Sequence, residues 1–141
     1  MPEARRRELV WRIAAGLAAA AAVLAVSELV VQGTRWQRRV VDEAAALTGG
    51  DPVRGEAIVA RVGCGACHVI PGIVGAAGRV GPPLRGFAGR AYIGGVATNR
   101  PDQLARWLID PRALSPGTAM PALGLRPDDA RDIAAFLYTL D

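Results

Sequence analysis

Both cysteines and the only histidine of this 141-residue chain fall within six consecutive residues, Gly63-Cys64-Gly65-Ala66-Cys67-His68. That clustering removes most uses of such side chains. A structural zinc site takes four ligands, usually from two separated pairs, and three adjacent ones fall short. A Cys-X-X-Cys redox pair belongs in a strand–helix–strand setting, and no such pattern surrounds Cys64. A disulfide, or two buried thiols, leaves His68 without a purpose. Two thiols two residues apart, with a histidine directly after the second, form the attachment pattern of a c-type haem. The thiols add to its two vinyl groups and the imidazole lies under the iron.

A sixth iron ligand is then expected. Apart from Met1, the one methionine is Met120, in Ser115-Pro116-Gly117-Thr118-Ala119-Met120-Pro121. Two prolines and a glycine argue for a loop there and against a helix. A thioether on a rigid loop downstream of the histidine suits the sixth position, and it favours ferrous iron. The competing reading is a methionine that fills a gap beneath its loop.

The N-terminal third reads differently. Arg5, Arg6, Arg7 and Arg12 precede a run from Ile13 to Val31 in which Glu28 is the sole charge. As a helix those residues span about 28 Å, close to the hydrocarbon thickness of a bilayer. Trp11 and Trp36 flank the run, as interfacial aromatics do. A cleaved signal peptide is the alternative, with Ile13 to Leu24 as its apolar region and Ala25-Val26-Ser27 as a cleavage site. An uncleaved anchor is favoured, because the apolar run resumes at Leu29-Val30-Val31 and Trp36 follows. Residues 1–33 are therefore expected to be a signal anchor, 34–50 a linker or stalk that extends the helix to Thr48-Gly49-Gly50, and 51–141 a folded domain.

Within that domain Asp51 reads as an N-cap with Pro52 at the first helical position. The helix is expected to run to about Gly63 and deliver the cysteines. Ile70 to Gly95 is too rich in glycine and proline for a regular element; a loop this long wants something to wrap. Pro101-Asp102 starts a second helix with Leu104, Trp107 and Leu108 on one face, stopped at Asp110-Pro111. Pro127-Asp128-Asp129 starts the last, with Ile133, Phe136, Leu137 and Leu140 as its apolar stripe. No strand and no internal repeat is expected. The domain is small, so a cofactor would supply much of its apolar core.

From Asp51 to Asp141 the chain resembles the class I c-type cytochromes, in particular the bacterial membrane-anchored monohaem type of aerobic respiratory chains. The likeness rests on CGACH, VGPPLRGFAGR, PGTAMP and DIAAFLYTL, in that order. It implies an all-α fold of three to five short helices wrapped around one covalently bound haem, here preceded by a transmembrane helix. It implies one haem c held by Cys64 and Cys67 through two thioethers, with His68 and Met120 on the iron. Pro82 matches the proline whose carbonyl accepts a hydrogen bond from the histidine Nδ1–H. Arg90 and Thr118 match residues beside the haem propionates, and Trp107 an aromatic over the haem near the methionine. Where many relatives carry a propionate-bonding tryptophan this chain has Asn99, with Tyr92 as a substitute.

The resemblance further implies a protein held in the bacterial cytoplasmic membrane by a single pass. Its haem domain would face the periplasm, because covalent haem attachment occurs on that side. The implied activity is electron transfer and not enzymatic turnover, between a quinol–cytochrome c oxidoreductase and a terminal oxidase. A fixed haem subunit of a larger oxidoreductase complex is the close alternative. A ligand-binding haem protein or a peroxidase would need an open sixth position, which Met120 closes. All 17 basic residues are arginine, so the family's lysine ring at the haem edge is absent; Arg79, Arg85, Arg100, Arg106 and Arg112 are the expected substitutes. Residues 51–141 carry ten arginines and eight acids. Scattered arginines without interleaved aromatics do not make a nucleic-acid surface.

Overall fold

The computed structural model describes residues 3–141, and the described chain divides into two compact units, the first ending at Arg39 and the second Val40–Asp141. Helix α1 (Glu3–Thr48) is continuous, so the charged stretch after Val31 stays helical. Every residue from 3 to 39 is exposed, including Leu17, Val23, Leu24, Leu29 and Trp36. This apolar segment is a candidate membrane span; a signal sequence meets the same description.

In the second unit the last turns of α1 are no longer free. Ala44 and Thr48 are buried, and the Thr48 hydroxyl donates to Ala44 O (2.7 Å) and accepts from Gly50 N (3.1 Å). Gly49, at φ 68°, stops the helix in the left-handed region. Asp51 then caps α2 (Pro52–Val62): its carboxylate accepts from Val53 N and Arg54 N at 2.9 and 3.2 Å. Helix α2 ends on Gly63, also left-handed, and a single 3₁₀ turn (Cys64–Ala66) follows.

Helix α3 (Pro101–Ile109) and helix α5 (Pro127–Leu137) start, like α2, with proline in the first turn. Leu104 of α3, Ile133 of α5 and Val59 of α2 are among the most deeply buried side chains, so the three helices share one core. The sharpest contact is where α2 crosses α5. A Cβ on Gly55 would strike the backbone of Asp132 and come within 2.9 Å of Phe136 Cβ. Only glycine permits that approach.

Two features depart from expectation. Asp110 caps a further short helix, α4 (Pro111–Leu114), by accepting from Ala113 N at 3.2 Å. The stretch expected to lack strands holds a small hairpin, β1 (Tyr92–Ile93) paired antiparallel with β2 (Ala97–Thr98), Tyr92 opposite Thr98. Gly94 and Gly95, at φ 56° and 73°, turn it. The Gly-Gly step between Tyr92-Ile93 and Val96-Ala97-Thr98 is a hairpin signal, masked by the glycine content around it.

Candidate functional site

A cleft of about 290 Å³ opens in the second unit. One wall is the segment Gly63–His68, another the 80–94 loops, and the rest comes from α2, α3, α5 and the loop carrying Met120. Cys64, Cys67, His68, Pro82, Arg90, Trp107, Thr118 and Met120 all line it, although 56 positions separate the first from the last. Its floor is apolar: Val59, Leu84, Leu104, Leu108, Ile133 and Leu137.

The turn at Cys64 is held by its own backbone. Cys67 N and His68 N both donate to Cys64 O, at 3.1 and 3.0 Å. The following loop folds back onto it: Gly78 N donates to Gly65 O (3.0 Å) and Gly81 N to Cys67 O (2.8 Å). The loop's return sets Pro82 O 2.7 Å from His68 Nδ1. A carbonyl only accepts, so Nδ1 carries the proton and Nε2 is left with its lone pair. Burial pushes the Cys64 thiol up, which keeps it in the neutral form.

Elsewhere in the lining, Thr118 N donates to Ser115 O (3.0 Å) and the Thr118 hydroxyl accepts from Met120 N (3.2 Å), so the threonine braces the loop that presents Met120. Met120 packs on the buried cluster while lining the cleft.

The same part of the chain carries a family signature as well as the geometry: residues 52–141 match the cytochrome c family model. The chain belongs to the cytochrome c family. It is 30% identical over 118 residues to cytochrome c2 of Rhodomicrobium vannielii, covering 71% of this chain and 87% of that one. It is 31% identical over 88 residues to cytochrome c oxidase subunit 2 of Alkalihalophilus pseudofirmus, covering 62% of this chain but only 25% of the subunit. No solved structure matches it at comparable significance. The protein is thus a class I c-type cytochrome with a mostly helical fold.

The family implies a covalently bound haem c, and the residues of this cytochrome fit one. Two cysteines and an imidazole nitrogen freed by Pro82 meet in an apolar cleft with a thioether on another wall. Gly81 supports the fit. A Cβ there would collide with Cε1 of the His68 ring, so the backbone passes where only glycine lets the imidazole stand. Sequence reading singled out the neighbouring proline and missed this glycine; its signal was a lone glycine directly before the histidine-bonding proline. Gly94 is similar: a Cβ would lie 2.6 Å from Trp107 Cη2, so the hairpin seats directly on the indole.

Arg90 lines the cleft with its guanidinium 5.5 Å from the Phe87 ring centroid, and its Nη2 donates to Pro83 O and, at 3.1 Å, to Arg85 O. Asn99 is spent elsewhere: Nδ2 donates to Phe87 O and Oδ1 accepts from Tyr138 Oη, both at 3.0 Å. Tyr92 does line the cleft. None of Arg79, Arg85, Arg100, Arg106 and Arg112 lines the cleft, where Arg90 is the one arginine.

Proposed function

We propose that this cytochrome is a membrane-anchored, periplasmic, single-haem electron carrier of a respiratory chain that passes electrons toward a terminal oxidase. The observation that carries it is that His68 and Met120, the two expected iron donors, line one apolar cleft together with Cys64 and Cys67. Bound there, haem c would supply a one-electron ferric/ferrous couple. The chain's own residues do the rest. Cys64 and Cys67 hold the group by thioethers. Pro82 O orients His68 and raises its basicity through the Nδ1–H. Thr118 braces the Met120 loop, Trp107 and the aliphatic floor would exclude water, and Arg90 and Thr118 would meet the propionates. With His68 and Met120 both donating to the iron, no position would be left for a substrate, and the group would serve to pass single electrons.

In this reading residues 1–33 are the anchor, 34–50 a stalk and 51–141 the cytochrome domain. The similarity to an oxidase subunit, of which the matched part is a quarter, favours a second reading in which the chain is the haem-bearing subunit of a larger complex. Donor chemistry upstream would be a quinol–cytochrome c oxidoreductase in either case.

Acid–acetone extraction of the purified full chain, followed by intact mass, tests the site. One haem should stay on the polypeptide, and haem that extracts freely would defeat the proposal.

A further inference from the structure

Asn99 and Tyr138 stand behind the cleft and not in its wall, and both are half-buried. The asparagine side chain uses both of its ends. Its Nδ2 donates to Phe87 O and its Oδ1 accepts from Tyr138 Oη, each at 3.0 Å. A carbonyl only accepts, so the amide must turn its NH2 toward Phe87 and its oxygen toward the phenol. Burial, with the Asp102 carboxylate as a smaller cause, pushes the Tyr138 hydroxyl up, so it keeps its proton to donate. The asparagine backbone adds a third bond, from Asn99 N to Ala91 O at 2.9 Å. Phe87 precedes Arg90 and Ala91 follows it. One residue thus ties the chain down on both sides of the arginine.

The turn between those ties carries Arg90 to the cleft. Arg90 N donates to Phe87 O at 3.1 Å, so one carbonyl serves the Asn99 amide and the Arg90 backbone together. The guanidinium lies 5.5 Å from the centroid of the Phe87 ring and donates to Pro83 O and Arg85 O. The same ring meets Tyr138 edge-on, with centroids 6.1 Å apart and planes at 77°. Ala88 N donates to Leu140 O at 3.2 Å, so residues just past α5 hold the turn twice. Arg90 is the one arginine in a lining that has no carboxylate, and its place therefore sets the charge the cleft presents. Of the arginines nearby in sequence, Arg85 is exposed and Arg100 pairs with Asp102 at 3.3 Å; in water such charges act more weakly.

We propose that Asn99 is a positioning residue: it couples Tyr138 to the Phe87–Ala91 turn, fixes the Arg90 charge at the cleft, and so favours the ferrous form of the haem. Reduction adds one negative charge to that group, and a cation held beside it favours the reduced state more than one free in water. The inference rests on the haem-bearing reading of the cleft.

Spectroscopic redox titration of the full-length haem protein in detergent tests it. In Asn99→Ala the guanidinium loses its fixed place, and the ferric-to-ferrous ratio at a given applied potential should rise about threefold. That is a downward shift of about 28 mV, at 59 mV per tenfold change. Tyr138→Phe keeps the ring and removes the hydroxyl; it should shift the potential the same way by less, and it carries the test if Asn99→Ala does not fold. In an Arg90→Gln background, Asn99→Ala should leave the potential where Arg90→Gln alone puts it. Asp132→Asn, at the α2–α5 crossing, should lower stability with the potential unmoved, which separates positioning from a general loosening. An unmoved potential in Asn99→Ala or in Tyr138→Phe, or an equal shift with and without Arg90, would overturn the inference and leave the haem reading standing. A chain that carries no covalent haem gives no potential at all, and the haem reading then falls together with this one.

Discussion

The crossing of α2 with α5 and the cleft between His68 and Met120 are built from opposite materials. At the crossing, backbone meets backbone. Gly55 lies against the Asp132 carbonyl, and a Cβ on Gly50 would strike that of Arg131. Asp132, only 5% exposed, accepts from Arg54 Nε (2.9 Å), Arg54 Nη2 (3.1 Å) and Asp51 N (2.8 Å). Every group there finds a protein partner. At the cleft, aliphatic side chains from three helices face an opening, and the walls include loops whose hydrogen bonds tie Gly78 to Gly65, Gly81 to Cys67 and His68 to Pro82. The first region is complete as protein. The second is shaped for a group that the chain does not encode. Changes at the crossing should therefore cost stability and leave redox properties alone, and changes at the cleft should do the reverse.

The largest break in that comparison comes from Gly55→Leu. The branched side chain has no space beside Asp132 and Phe136, and overpacking should cost about 3 kcal/mol. For a domain of this size the melting temperature should fall by roughly 12 °C or more. Calorimetry and voltammetry on the same sample would check it: a lower melt with an unmoved midpoint potential supports the division, and a moved potential breaks it.

Asp132→Asn is a smaller and sharper probe. The Arg54 hydrogen bonds, with the Asp51 N–H, hold the Asp132 carboxyl below the usual carboxylate range despite burial. A depressed carboxyl contributes stability above its unfolded value, near 3.9, and loses it as pH falls through the folded value. At neutral pH the asparagine change should cost about 2 kcal/mol. In denaturant titrations the gap between parent and variant should narrow progressively below about pH 4. A gap that holds constant down to strongly acid pH would show that Asp132 stabilises by shape alone.

The same division explains how much was legible in the sequence. Asp51 with Pro52, Pro101 and Pro127 mark helix starts through purely local chemistry, and Thr48-Gly49-Gly50 marks a stop, so these boundaries could be read directly. Cys64, Cys67, His68 and Met120 could be named because haem chemistry restricts residue type, and one histidine, two cysteines and one internal methionine leave little choice; Pro82, Arg90, Trp107 and Thr118 came only from the resemblance to a family. What could not be read depends on how segments meet. Gly55 and Gly81 look like any of the 17 glycines until α5 and the His68 ring are brought against them. The Tyr92–Thr98 hairpin is two residues per strand, too short for alternation to show. Asn99 reads as a gap in the family pattern; in the fold it joins Phe87 O to Tyr138.

If His68 and Met120 both bind the iron, no position is left for an added ligand and the protein serves as a carrier. Carbon monoxide added to the ferrous full-length protein, beside its Met120→Ala variant, checks this: no spectral change is expected in the parent and clear binding in the variant. The variant should also lose the weak ferric thioether band and have a lower midpoint potential, since oxygen donors favour ferric iron over ferrous more than a thioether does. The fold should survive, because Cys64, Cys67 and His68 would still hold the group. Carbon monoxide binding in the parent, or a Met120→Ala protein with its ferric band and potential unchanged, would leave Met120 as loop packing.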